Sequence, residues 1–276
     1  MKIKSLVIFA ITLSIFFFGF REQVEKITVK GSDTMVILAQ KWAEIYMKKN
    51  PNVSIQVTGG GSGTGISALI NGSTDIANAS RPMKQSEMEM LKEKYGSYGV
   101  EIPCAIDGIT IFLHTSNKVK ELSLKQLSDI FTGKIKNWKE VGGVDAPINL
   151  YGRENSSGTY VYFKDNVLQG DYAPNCQTLP GTAAVVNAVK KDKYGIGYGG
   201  AAYATGVKHC KVKKDDKSPA YEPTPDAIKK GLYPISRYMY MYTRTKPTGA
   251  LKKYIDWILS KEGQKVVNEI GYFPLR

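Results

Sequence analysis

The sequence predicts an α/β fold. Three observations lead to it: short apolar strands alternate with amphipathic helices, Gly-, Ser- and Thr-rich turns join them, and the order strand–turn–helix recurs several times. Residues 26–30 read as the first strand, and Gly31-Ser32-Asp33-Thr34 breaks it. Residues 35–49 then put Ile37, Leu38, Trp42, Ile45 and Tyr46 on one helical face, with Ser32 or Asp33 as the natural N-cap and Pro51 as the stop. Residues 53–57 form the next strand, the turn Gly59-Gly60-Gly61-Ser62-Gly63-Thr64-Gly65 follows, and a helix opens at 66–70 and ends at Asn71-Gly72. Residues 74–79 make a third strand, ending in Ser80-Arg81-Pro82 before a helix over 86–95. Three strand ends thus carry hydroxyl residues ahead of a helix start, where free N–H groups and the helix dipole suit an anion. In open α/β sheets ligands gather at the carboxyl ends of the strands.

The second half continues the pattern. Residues 102–114 contain a long apolar strand at 109–113, and residues 123–131 form a short helix capped by Ser123 and stopped by Thr132-Gly133. Trp138 and Gly142-Gly143 mark an irregular connection. The strand 148–151 feeds Gly152-Arg153-Glu154-Asn155-Ser156-Ser157-Gly158-Thr159, a fourth oxyanion-type turn that now includes an arginine. A fixed guanidinium can donate two parallel bonds to a phosphate-like group. A helix over 181–190, a glycine-rich strand at 195–199, a polar loop over 208–225, a buried-type strand at 238–242 and helices over 251–259 and 263–270 complete the chain. No internal repeat recurs at a fixed period.

The 276 residues suffice for one large domain or two small ones with real cores, and 42% hydrophobic content excludes a disordered chain. The formal net charge is +13. Lysines are spread along the chain without an RNP, zinc-finger or basic-helix motif, so the charge reads as a solvated surface that raises the local concentration of small anions, and no nucleic-acid partner is expected. Cys104, Cys176 and Cys210 lack C-x-x-C spacing, and His114 and His209 share no ligand spacing, which argues against a metal site. In an exported setting Cys176–Cys210 is the pair to test for a disulfide. The exported setting follows from the start: Met1-Lys-Ile-Lys4 is basic and residues 6–18 are apolar but for Thr12 and Ser14, a secretory signal over residues 1–23 that is short for a membrane span. The cleavage region Phe17-Phe18-Gly19-Phe20-Arg21 is poor, which leaves an uncleaved signal anchor open, and the lack of a nearby cysteine argues against a lipid anchor.

Two nucleotide readings of the glycine-rich turn fail. A P-loop needs lysine where Ile66 stands. The dinucleotide pattern matches at Gly63, Gly65 and Ala68, but it requires an acidic residue ending a second strand about 20 positions on, and residues 83–90 are helical in pattern. An oxyanion pocket remains, beside the plain alternative that the glycines serve only the turn. A phosphoester-cleaving enzyme would need a nucleophile beside a base, for which His114 is the one histidine at the expected junction between lobes.

Ser32-Asp33-Thr34, Gly61-Ser62-Gly63-Thr64-Gly65 and Arg153 with Ser157-Gly158-Thr159 carry a resemblance. Supporting stretches are Ile130-Phe-Thr-Gly-Lys-Ile-Lys-Asn-Trp138, Tyr194-Gly-Ile-Gly-Tyr198, Tyr233-Pro-Ile-Ser-Arg237 and Ser260-Lys-Glu-Gly-Gln264. Over nearly the whole chain after residue 25 the sequence resembles the exported phosphate-binding proteins of ABC transporters. The resemblance implies a two-lobed, type II periplasmic-binding-protein-like fold: each lobe a mixed sheet flanked by helices, the two hinged by crossing strands. Lobe 1 would span 25–110 plus 240–276 and lobe 2 111–239. It implies a phosphate site of Ser32, Thr34, Ser62 and Ser80 from lobe 1 and Arg153, Ser157, Gly158 and Thr159 from lobe 2, with Asp33 and Arg81 as further candidates. Some family members have an aspartate where Ser80 stands, which accepts the proton of HPO₄²⁻; Asp33 and Asp75 are the candidate substitutes here. The arginine's usual aspartate partner is Asn155, with Glu154 the candidate replacement. The implied protein is a monomeric, non-enzymatic receptor without cofactor or metal. It would sit in the periplasm or otherwise outside the cytoplasmic membrane and deliver inorganic phosphate to ABC permease subunits. Another tetrahedral oxyanion, such as sulfate or molybdate, and a sensor without a transport role are the alternatives.

Overall fold

The computed structural model describes residues 24–275, so the expected signal over residues 1–23 lies outside the described residues. In chain order the elements are β1 (Glu25–Gly31), α1 (Val36–Lys49), β2 (Val53–Thr58), α2 (Ser62–Asn71), β3 (Ile76–Ala79), α3 (Gln85–Tyr95) and β4 (Val100–Leu113). Then come β5 (Glu121–Ser123), α4 (Leu124–Phe131), β6 (Asn149–Arg153), α5 (Gly158–Phe163), β7 (Gln177–Leu179), α6 (Gly181–Lys191) and β8 (Gly195–Gly200). The last are β9 (Lys208–Lys213), β10 (Ala220–Tyr221), α7 (Pro225–Lys229), β11 (Ser236–Thr243), α8 (Gly249–Leu259) and α9 (Lys261–Ile270). Among the described residues no helix is long and apolar enough to cross a membrane.

The main strand order is β2-β1-β3-β11-β4-β8-β6-β7. Strands β2, β1 and β3 are parallel, and so are β8, β6 and β7. Between these groups lie β11 and the 14-residue β4. The first part of β4 pairs antiparallel with β11 and its end, Ile109–Leu113, pairs antiparallel with β8. One core gathers Ile27, Leu38, Trp42, Ala105, Met239 and Tyr254, and another gathers Ile109, Phe131, Trp138, Phe163, Tyr198 and Ile235. The fold is thus α/β with two packed bodies linked by crossing strands. It sets the carboxyl ends of β1, β2 and β3 opposite those of β6, β7 and β8.

Three expectations are corrected. The stretch 208–225 is not a loop: it contains β9 and β10, with β9 pairing to β4, and α7 begins at its end. In Lys208–Lys213 the outward positions are His209, Lys211 and Lys213 while Cys210 and Val212 are buried, and Lys208 on the inward side leaves only two apolar residues to mark the two-residue alternation. Neither Ser32 nor Asp33 caps a helix with its side chain; both are spent on tertiary partners given below. The three cysteines are free. Cys176 lies against Gly152 of β6 beside β7, while Cys210 pairs in β9 with Ile111 of β4. The strand order β9-β4-β8-β6-β7 separates them by four strand spacings, on the order of 15–20 Å, where a disulfide needs Cα atoms within about 7 Å.

Candidate functional site

The turn after β1 carries three of the expected residues. Ser32 Oγ donates to Ser80 Oγ at 3.0 Å. Asp33 Oδ1 accepts from the Gly60 N–H at 2.8 Å, and Asp33 Oδ2 accepts from Arg153 Nη2 at 2.9 Å. Thr34 Oγ1 lies 2.9 Å from Thr159 Oγ1 and 3.5 Å from Thr182 Oγ1. Two tyrosines pin the backbone of this turn: Tyr203 Oη donates to Asp33 O at 2.6 Å, and Tyr272 Oη donates to Thr34 O. Burial pushes the Tyr203 hydroxyl up to about 12, so it stays a donor.

The turn after β2 leads into α2 through Gly60 and Gly61, at φ +110° and +93°, a region that glycine occupies without steric cost. A side chain at Gly61 would also meet Ser156 O at 2.6 Å. The close approach is used: Gly63 N–H donates to Ser156 O at 2.9 Å, and Ser156 Oγ donates to Gly60 O at 3.3 Å. Ser62 Oγ accepts from the Ser80 N–H at 3.0 Å and lies 3.3 Å from Ser80 Oγ. Ser62 and Ser80 are fully buried.

From the facing body, β6 ends on Arg153, which is 1% exposed. Its guanidinium donates to Glu154 through Nε at 3.1 Å and Nη2 at 2.9 Å, to Asp33, and through Nη1 to Thr182 Oγ1 at 2.8 Å. Glu154 therefore occupies the counter-ion position that Asn155 leaves open. Burial raises the Glu154 carboxyl, and the bonds and charge of Arg153, with backbone N–H groups, more than offset it, so its pKa falls below the ordinary range. Ser157 Oγ accepts from the Thr159 and Tyr160 N–H groups at 3.2 and 3.3 Å and caps α5. Gly158 sits over the two buried serines: a Cβ there would stand 2.4 Å from Ser62 Oγ and 2.7 Å from Ser80 Oγ. Thr159 meets Thr34 across the cleft.

Ser32, Asp33, Thr34, Ser62, Ser80, Arg153, Gly158 and Thr159 are thus brought into one hydroxyl-rich cluster, with Ser157 at its edge as a cap. Arg81 is not joined to it by a hydrogen bond. Its guanidinium binds Glu87 with both nitrogens, at 2.8 and 2.6 Å, and Pro82 O at 2.8 Å, so its charge is answered within α3. Asp75 is remote as well: it accepts from Thr28 N and Oγ1 at 2.8 Å each, ahead of β3 and at the opposite end of that strand from Ser80. His114 follows β4, whose Leu113 pairs with Ile196, whereas the cluster lies by Gly200 at the other end of β8, roughly 13 Å along the strand. It bonds Ser116 at 2.8 Å.

Three residues of the cluster escaped the sequence reading. Thr182 follows Gly181 at the start of α6 and repeats the hydroxyl-after-strand signal of the other turns. Arg237 sits inside the singled-out stretch 233–237, yet only as part of a pattern. It donates to Thr159 Oγ1 and Ser80 O at 2.8 Å each and to Asp107 Oδ2 at 2.9 Å. Asp107 is fully buried in β4, and its Oδ1 has no hydrogen-bond partner among the described residues. No sequence signal marks it, because one aspartate in an apolar strand has no local pattern.

Fold and cleft together define a periplasmic-type binding protein of the type II class. A family model described as the PBP superfamily domain matches residues 21–262. The phosphate-binding protein PstS of Pseudomonas aeruginosa is 36% identical over 263 residues, covering 89% of this chain and 81% of that relative. PstS of Bacillus subtilis is 34% identical over 250 residues, with 90% and 80% covered. Among solved structures, a candidate phosphate ABC transporter substrate-binding protein from Clostridium perfringens with bound phosphate matches at TM-score 0.83 and 32% identity, covering 91% of this chain and 100% of that one. An ABC-type phosphate transport receptor from Vibrio cholerae matches at TM-score 0.72 and 28% identity, with 91% and 100% covered. The chain belongs to the PBP superfamily and, within it, to the family of the phosphate-binding proteins PstS.

Proposed function

We propose that this chain is a non-enzymatic receptor that captures inorganic phosphate outside the cytoplasmic membrane and hands it to an ABC permease. One observation carries the reading: the hydroxyls of Ser32, Thr34, Ser62, Ser80, Thr159 and Thr182 converge, buried, between two packed bodies, with the Arg153 guanidinium at their edge. Hydroxyls and a guanidinium are donors to an anion, and donors held in a water-excluded cleft bind charge more strongly than in water. The names of the relatives support phosphate as the ligand and transport as the purpose. In this reading the phosphate contacts come from Ser32, Thr34, Ser62, Ser80, Arg153, Gly158 and Thr159. Ser157 organises α5, and Asp33 and Arg81 serve structure.

The lobes of this receptor would be 25–110 with 240–276, and 111–239. Two features support a division close to that one, a few residues earlier on each strand: the cores separate within β4 between Ala105 and Ile109, and between Ile235, just ahead of β11, and Met239 within it. Opening would hinge on these crossing strands. The receptor would act as a monomer, exported by its N-terminal signal. Isothermal titration with phosphate tests the reading, with sulfate as competitor at neutral pH. Saturable phosphate binding that sulfate does not displace is expected; silence at millimolar phosphate would sink it.

A further inference from the structure

Arg237 belongs to no part of the proposed phosphate contacts, yet it is buried, carries a full charge and touches the cleft. It is the direct cross-strand partner of Asp107, where β11 pairs with β4. Nε and Nη2 donate to Asp107 Oδ2 at 3.3 and 2.9 Å. The guanidinium lies 5.4 Å from the centre of the Tyr162 ring, and Tyr162 Oη donates to Ser236 O at 2.9 Å. Carboxylate, ring and strand hold the planar group on several sides. From that fixed position Nη2 donates to Thr159 Oγ1 at 2.8 Å, and Nη1 donates to the carbonyl of Ser80 at 2.8 Å.

A guanidinium has donors and no acceptor, whereas a threonine hydroxyl has one proton and two lone pairs. Arg237 therefore occupies an acceptor position of Thr159, and its charge polarises the O–H, strengthening it as a donor. On its other side Thr159 Oγ1 faces Thr34 Oγ1 at 2.9 Å, across the cleft. The same device recurs at Thr182, which accepts from Arg153 Nη1 at 2.8 Å and faces Thr34 at 3.5 Å. Thr34 is thus flanked by two hydroxyls, each loaded from behind by an arginine.

We propose that Arg237, anchored by Asp107, is a positioning residue that sets the Thr159 hydroxyl as a hydrogen-bond donor aimed into the cleft. The inference rests on the reading of the cleft as an oxyanion site: a wall of pre-polarised donors favours a tetrahedral oxyanion over a neutral ligand of similar size. It also ties the site to the crossing strands, because Arg237 and Asp107 lie on β11 and β4 while Thr159 lies on α5.

The test is a double-mutant cycle on the full chain. Removing Arg237 alone would strand the buried Asp107 carboxylate, so Arg237→Met is made together with Asp107→Asn, and Arg237→Lys serves as the conservative variant. Each is combined with Thr159→Val, and phosphate binding is read by titration after the melting curve confirms folding. The neutral pair should weaken phosphate binding tenfold or more on the native background and by less than twofold on the Thr159→Val background, with Arg237→Lys recovering part of the loss. An equal loss on both backgrounds, or none on the native one, overturns the proposal. A readout without phosphate separates its failure from that of the receptor reading. In proton NMR of the unliganded protein, the Thr159 hydroxyl proton should be slow to exchange and show a cross-peak to Thr34, and should lose both in the neutral pair. An unchanged hydroxyl signal overturns the proposal even if phosphate binds. A lost signal upholds it even if the wild type ignores phosphate, in which case only the receptor reading falls.

Discussion

Arg153 Nη2 lies 2.9 Å from Asp33 Oδ2, an ion pair between the end of β6 and the turn after β1, on opposite sides of the cleft. The guanidinium is 1% exposed, and Asp33 also holds the Gly60 N–H. One carboxylate thus links the glycine-rich turn to the cationic end of the facing body. Because Glu154 holds the same Nη2 at 2.9 Å, Arg153 stands between two carboxylates.

Arg153→Ala removes a charge and leaves Asp33 and Glu154 facing the bound anion without a counter-ion. Each charge-assisted bond is worth about 1.5–3 kcal/mol, so phosphate binding should weaken tenfold or more. Adding Asp33→Asn should restore part of the loss by removing one stray negative charge. Titration calorimetry on both variants checks this; a double variant as weak as the single one would contradict the ion-pair account.

Ser80→Ala should do less. It removes neutral hydroxyl contacts to Ser32 and Ser62 while the Ser80 N–H keeps its bond to Ser62. A neutral hydrogen bond contributes about 0.5–1.5 kcal/mol, so the loss should stay below that of Arg153→Ala. Equal losses would refute the ranking.

Gly158→Ala tests the close approach of the two bodies. The new methyl would stand 2.4 Å from Ser62 Oγ and 2.7 Å from Ser80 Oγ. Gly158 is helical, so the cost is space and not backbone strain. The closed cleft should be destabilised: phosphate binding falls, and small-angle scattering with saturating phosphate reports a larger radius of gyration than the wild type. An unchanged radius with unchanged affinity would mean that the serines rotate away freely.

The cysteines should behave as three separate thiols. Burial pushes Cys176 and Cys210 up to about 12 and raises Cys104 as well, which leaves little thiolate in neutral solution. Without reductant, denatured protein should titrate as three thiols per chain, and native protein should react slowly at about pH 8. One thiol in denaturant would restore the disulfide.

Glu154 makes a pH prediction with a definite sign. Its folded-state pKa lies below the ordinary 4.5, so its contribution to stability is complete above that value and fades as pH falls through the depressed one. Urea midpoints of wild type and Glu154→Gln should therefore differ most near neutrality, and the gap should narrow as the pH is taken well below the ordinary 4.5. A gap that stays constant with pH would show that Glu154 contributes packing and not charge.

The strand–turn–helix units were legible because each is local. The period of the apolar residues, the hydroxyls at the strand ends and the glycines at helix stops lie within a few positions of one another. Strand β9 was lost because Lys208 stands on the side of Cys210 and Val212, which leaves only two apolar residues in its alternation. Ser32 and Asp33 read as caps because that is what such residues do locally; the structure spends both on distant partners.

The sequence by itself determined the α/β class, the hydroxyl-bearing strand ends and the identity of most residues that meet in the cleft. Tertiary structure alone decided their partners. Arg153 reaches Asp33 across 120 positions, Arg237 reaches Thr159 across 78 and Asp107 across 130. A buried charge must find a counter-charge wherever the fold supplies one. That is why Arg81 turned to Glu87 in the helix that follows it, Arg153 came to stand between Asp33 and Glu154, and Arg237 reached the cleft from β11.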